Sequence, residues 1–117
     1  KGFSDDREFG TPDVMAAIKQ YRELKASGKD AYDFSEPQLN RLGYRLLQMK
    51  RVKNAIEIFK LNVEIFPQGF NTYDSLGDAY MENGDKSLAI QNYKKAVELN
   101  PKNTISAEKL KKLESAP

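Results

Sequence analysis

The sequence superimposes on itself when shifted by 34 residues, and few folds satisfy that constraint. Leu42-Gly43 falls on Leu76-Gly77, Ala55 on Ala89, Phe59 on Tyr93 and Pro67 on Pro101. Ile56 also meets Ile90, and Leu39 meets Tyr73. The two copies in register cover residues 36–103. A period of this length marks a supersecondary unit that cannot bury its apolar face alone and must stack on its neighbours.

Each unit holds two apolar patterns of helical period separated by a breaker. Leu39, Leu42, Leu46 and Met49 recur every three or four residues, as do Val52, Ile56, Phe59 and Val63. Gly43 and Gly77 fall inside helices, where Gly costs about 1 kcal/mol relative to Ala. Each therefore predicts close approach of a second helix, with Ala55 or Ala89 as the small counterpart and Phe59 or Tyr93 filling the space one turn on. Asn83-Gly84-Asp85 reads as the turn, with Gly84 left-handed and Asp85 capping the next helix. Pro67 and Pro101 end the second helices.

The flanks extend the pattern. Ser35 and Gln38 fit a capping box, and Phe34 and Leu39 a hydrophobic staple. Thr11-Pro12-Asp13 starts an earlier helix that Gly28 ends. Within it Ala17-x3-Tyr21-x2-Leu24 copies the second-helix pattern, and Tyr32 and Phe34 are available to cover the gap that follows. Residues 1–10 show no clear period and are expected to be an extended or frayed lead. Ile105, Ala107, Leu110 and Leu113 form one more amphipathic helix, and Lys111 stands where the repeat would put Gly. That helix is expected to cap the stack. The expected fold is all-α, a right-handed solenoid of antiparallel helix pairs with six helices near 12–27, 36–49, 52–66, 70–83, 86–99 and 104–114. Its segments are a lead and degenerate half-repeat (1–35), two repeats (36–69 and 70–103) and the C-terminal capping helix (104–117).

Composition removes several chemistries. With no Cys, His or Trp, zinc sites built on Cys or His, thiol nucleophiles, disulfides and His-based triads are impossible within this chain. Lys and Arg total 19 against 17 Asp and Glu, a net charge of +2, which gives no general case for nucleic acid. Lys50-Arg51-x-Lys53 and Lys109, Lys111 and Lys112 lie two repeat lengths apart and read as solubilising charge. No apolar run approaches the roughly 20 residues that span a bilayer, and no signal-peptide core is present. Asp74, Asp78 and Glu82, four apart on one face, read as a solvated acidic stripe, with a cation or a basic peptide as the sharper alternative. Tyr73, Tyr80 and Tyr93 are expected in the core, whereas Tyr44 points off that face towards an exposed contact. The chain begins at Lys1 and is expected to be a piece of something longer.

The run Tyr73-x2-Leu76-Gly77-x2-Tyr80, Ala89-x3-Tyr93-x2-Ala96 and Pro101 resembles the tetratricopeptide repeat, with Tyr73 where that family most often has Trp. The earlier copy departs from it at Leu46, in place of Tyr, and at Asn62, in place of a small Ala. The resemblance implies a non-catalytic scaffold, with no cofactor or metal, that receives a protein or peptide segment in a concave groove. Its inner surface would comprise Asn40, Arg41, Tyr44, Leu47 and Gln48, then Asn71, Asp74, Ser75, Asp78 and Glu82, then Lys109 and Lys112. Of the clamp that one subfamily uses to grip chaperone carboxyl termini, only Asn40 matches in kind, and Lys109 replaces an Arg. Asp74 and Asp78 instead favour a ligand with a basic residue near its centre.

The stretch Phe59–Glu64, Pro67 and Asn71–Gly77 also resembles repeat tails of bacterial serine hydrolases of the β-lactamase type. No Ser-x-x-Lys or Gly-x-Ser-x-Gly is present, so this chain would be the accessory or self-associating tail. The compartment stays open, cytoplasmic or, for a hydrolase tail, periplasmic or exported. Homodimer formation through open solenoid ends is a further expectation. Finally, Asn62 is expected to be buried and bonded to Asn71, Thr72 or Ser75 at the start of the next helix, the alternative being a slight helix rotation that lets it reach water.

Overall fold

A computed structural model describes residues 11–28 and 35–115. Among the described residues lie six helices and no strand: α1 Thr11–Ala26, α2 Glu36–Gln48, α3 Val52–Ile65, α4 Phe70–Glu82, α5 Lys86–Leu99 and α6 Thr104–Ser115. Successive helices pack on one another from α2 to α6, α2 also packs on α4, and α1 docks on α3. The extended lead, the cover by Tyr32 and the Phe34 staple lie outside the described residues.

Local chemistry sets the helix ends. At α2 the Gln38 N–H donates to Ser35 Oγ at 3.2 Å and the Ser35 N–H to Gln38 Oε1 at 2.8 Å, so both limbs of the capping box form. The first helix of each repeat ends in a Schellman motif. Arg51 N–H reaches Leu46 O at 2.9 Å and Lys50 N–H reaches Leu47 O at 3.0 Å. Asp85 N–H reaches Tyr80 O at 2.8 Å and Gly84 N–H reaches Met81 O at 3.1 Å. The motif needs a left-handed residue, and Gly84 supplies it at φ 84. Its repeat equivalent is Lys50, held at φ 64. Asp85 does not cap α5 as expected: its carboxylate accepts from Asn83 Nδ2 at 2.7 Å instead.

The glycines mark close approach, and the approaching group is an aromatic ring. A Cβ on Gly77 would lie 2.6 Å from the Tyr93 ring, and one on Gly43 would overlap Phe59. Phe59, Ala55, Ala89 and Ala96 are fully buried around these contacts. Ile18 and Tyr21 carry α1 into the same core. Tyr80 and Tyr93 are buried as expected, but Tyr73 is only half-buried, because its hydroxyl donates to Pro67 O at 2.9 Å across the inter-repeat loop. On α6, Leu110 and Leu113 pack on the core and Lys111 is exposed. Ile105, expected on that packing face, is 64% exposed, and the fully buried Ser106 takes its place.

Asn62 is fully buried, as its position requires, but with a different partner. Its Nδ2 donates to Glu36 O at 3.2 Å, within its own repeat, and its Oδ1 has no partner. The expected groups are otherwise engaged: Thr72 Oγ1 donates to Gly69 O at 2.6 Å, and Ser75 Oγ donates to Asn40 Oδ1.

Candidate functional site

The first helices of successive units, α2, α4 and α6, lie side by side and are tied by bonds that repeat with the sequence period. Ser75 on α4 bonds Asn40 on α2, and one period later Lys109 on α6 bonds Asp74 on α4 at 3.0 Å. Asp78 is the hub. Its Oδ2 accepts the Tyr44 hydroxyl at 2.5 Å, and its Oδ1 accepts the Tyr93 hydroxyl at 2.5 Å. Lys109 Nζ lies 3.0 and 3.2 Å from the two oxygens. Asp74 is closed in the same way, since its Oδ1 accepts from Ser106 Oγ at 2.5 Å. One carboxylate thus joins four helices.

Electrostatics follow from this geometry. Burial pushes the Tyr44 and Tyr93 hydroxyls above the usual phenol range, and donation to Asp78 pushes them further. Burial draws the Lys109 ammonium down, but its bonds to Asp74 and Asp78 outweigh that and leave it raised. The same ammonium stands 5.6 Å from the centre of the Tyr93 ring, a cation–π contact.

Three expectations meet this geometry. Asp74 and Asp78 are not a solvated stripe, because their side chains are only 16% and 24% exposed and both meet Lys109. A basic ligand residue at the centre is also redundant, since α6 already supplies one. Tyr44 is not a free contact either. It is half-buried, bonded to Asp78 and set edge-on to Phe59 with ring centres 5.1 Å apart.

The exposed members of the expected groove are Arg41 and Gln48 on α2, Asn71 and Glu82 on α4 and Lys112 on α6. Asn40 and Leu47 are half-buried, and Ser75 is buried. Arg41 borders an open depression of about 630 Å³ with Arg45, Gln38 and Gln48, and neither arginine has an ion-pair partner among the described residues. Sequence reasoning missed Arg45, Ser106 and the polar role of Tyr93. The 34-residue offset could have found Ser106 and Tyr93 by pairing each inner position with its neighbour one period on. Among the described residues no group of His, Cys, Asp or Glu side chains is placed to hold a metal ion, and no helix is long and apolar enough to cross a membrane.

Residues 70–103 match the tetratricopeptide repeat family. These 34 of the 117 residues carry the family's pattern. Over 70 residues, 60% of its length, the chain is 31% identical to the human (Homo sapiens) Superkiller complex protein 3, and it spans about 4% of that protein. In three dimensions the helical stack is similar to the first TPR of Spaghetti (RPAP3) bound to the HSP90 peptide SRMEEVD. The TM-score is 0.66 at 16% identity, over 89% of this chain and 92% of that one. The likeness is one of fold.

Proposed function

We propose that this chain is a non-catalytic interaction scaffold that takes a protein or peptide segment along the inner faces of α2, α4 and α6. The observation that carries the reading is the division of labour on that surface. Its centre is locked by Asp78, Asp74 and Lys109, which fixes the spacing of the three helices. Around that centre Arg41, Gln48, Asn71 and Glu82 extend into solvent. A rigid frame with unspent polar groups along one side loses little conformational freedom when a ligand binds. The peptide held by the structural neighbour supports the same use of the fold.

Peptides selected from a random library against the full chain test the reading. Binding is expected to fall in the triple variant Arg41→Ala, Gln48→Ala, Asn71→Ala and to persist in a variant of exposed residues on α3 and α5, such as Lys53→Ala with Lys94→Ala. The opposite ranking would place the binding surface on the outer helices and end the proposal.

A further inference from the structure

The sequence period assigns each stacking position three times, and α2 uses its set differently from α4 and α6. On α4, Ser75, Leu76 and Ala79 turn towards the preceding repeat and are at most 5% exposed. One period later Lys109 bonds α4, while Leu110 and Leu113 pack on the core. One period earlier the same positions are Arg41, Leu42 and Arg45. There both arginines are exposed, Leu42 is half-buried, and the open depression lies beside them. Of the described helices, α1 precedes α2, and it docks on α3. The leading face of α2 is therefore a helix-stacking face with nothing described upon it.

Its charge specifies what fits. Arg41 and Arg45, four residues apart, share one side of the helix. Covering them with an apolar surface would bury two unpaired charges at a prohibitive cost. The inner positions already show the matching chemistry: an amide or carboxylate on one helix receives the donor of the next, as Asn40 does for Ser75 and Asp74 for Lys109. We infer that the leading face of α2 docks an acidic amphipathic helix of a partner protein, with two carboxylates one turn apart meeting Arg41 and Arg45 and an apolar residue meeting Leu42. Two internal occupants fit less well. Residues 1–10 carry Asp5, Asp6 and Glu8 but no apolar residues at helical spacing. In a second copy stacked head to tail, α6 would bring Lys111, in place of the repeat's Gly, against the ring of Tyr21. This docking face shares Arg41 with the proposed groove, but Leu42 and Arg45 belong to it alone, and it does not depend on a groove ligand.

The test uses the full chain and a synthetic peptide with the sequence of residues 70–83, lactam-bridged to hold it helical. That peptide presents Asp74 and Asp78 in the pair that grips Lys109. Amide shifts are expected to move at Arg41, Leu42 and Arg45. Affinity should fall about tenfold in Arg41→Gln with Arg45→Gln, survive largely in Arg41→Lys with Arg45→Lys, and weaken with salt. Absence of any perturbation would overturn the inference, as would equal binding by the glutamine variant or by a peptide carrying Asp74→Asn and Asp78→Asn. If removing residues 1–10 tightened binding tenfold or more, the occupant would be the chain's own acidic segment. Self-association abolished by the glutamine variant would make it a second copy. Either result would refute a partner helix.

Discussion

Asp78 accepts a hydroxyl from α2, a second from α5 and an ammonium from α6, and these bonds give the molecule a definite response to alkali. Tyr44 and Tyr93 ionise above the ordinary 10.0 when folded, so below that value folded and unfolded chains hold these protons alike and the contribution is complete. Above it the unfolded chain releases protons that the folded one retains, and stability falls. The raised Lys109 adds in the same direction above its ordinary 10.5. Urea unfolding at a series of pH values should therefore be level up to about pH 10 and then decline. Replacing Tyr44 and Tyr93 together with Phe should flatten that decline. A second prediction concerns Lys50. A left-handed conformation costs a residue with a Cβ about 1–2 kcal/mol, and Lys50 adopts it at φ 64 while its repeat equivalent is Gly84. Lys50→Gly should raise stability by about 1 kcal/mol, and an unchanged urea midpoint would contradict this.

The helices were legible because apolar spacing, Gly and Pro all punctuate the chain at the same places. Gly43 and Gly77 announced a close approach that the rings of Phe59 and Tyr93 make. Gly77→Ala should cost about 1–3 kcal/mol by overpacking, read from thermal unfolding. Side-chain direction was less legible. Asn62 turns back to Glu36 O because Thr72 and Ser75 are committed elsewhere, and Tyr73 leaves the core because Pro67 O accepts its hydroxyl. The acidic stripe looked solvated because its counter-ion lies 31 and 35 residues away, on a helix that reads in sequence as a simple cap. No window along one helix shows that pairing. It emerges only once α6 has stacked on α4. Lys109→Met should accordingly release α6, with hydrogen-exchange protection lost there and retained in α2 and α3.

At the scale of the whole molecule, the stack spends some inner side chains on holding its helices together and leaves others free along its length. The first group lies on the expected groove, and the fold engages it between helices: Asp74, Asp78, Ser75, Tyr44 and Lys109 bond one helix to the next. Arg41 and Gln48 at one end and Asn71 and Glu82 beyond the centre stay exposed, and these are the residues the proposed groove would use. Amide chemical-shift mapping of the full chain with a library-selected peptide tests this account most directly. The predicted perturbations run along α2 and α4 at Arg41, Gln48, Asn71 and Glu82, and leave the outer faces of α3 and α5 unchanged. Perturbations confined to α3 and α5 would contradict it.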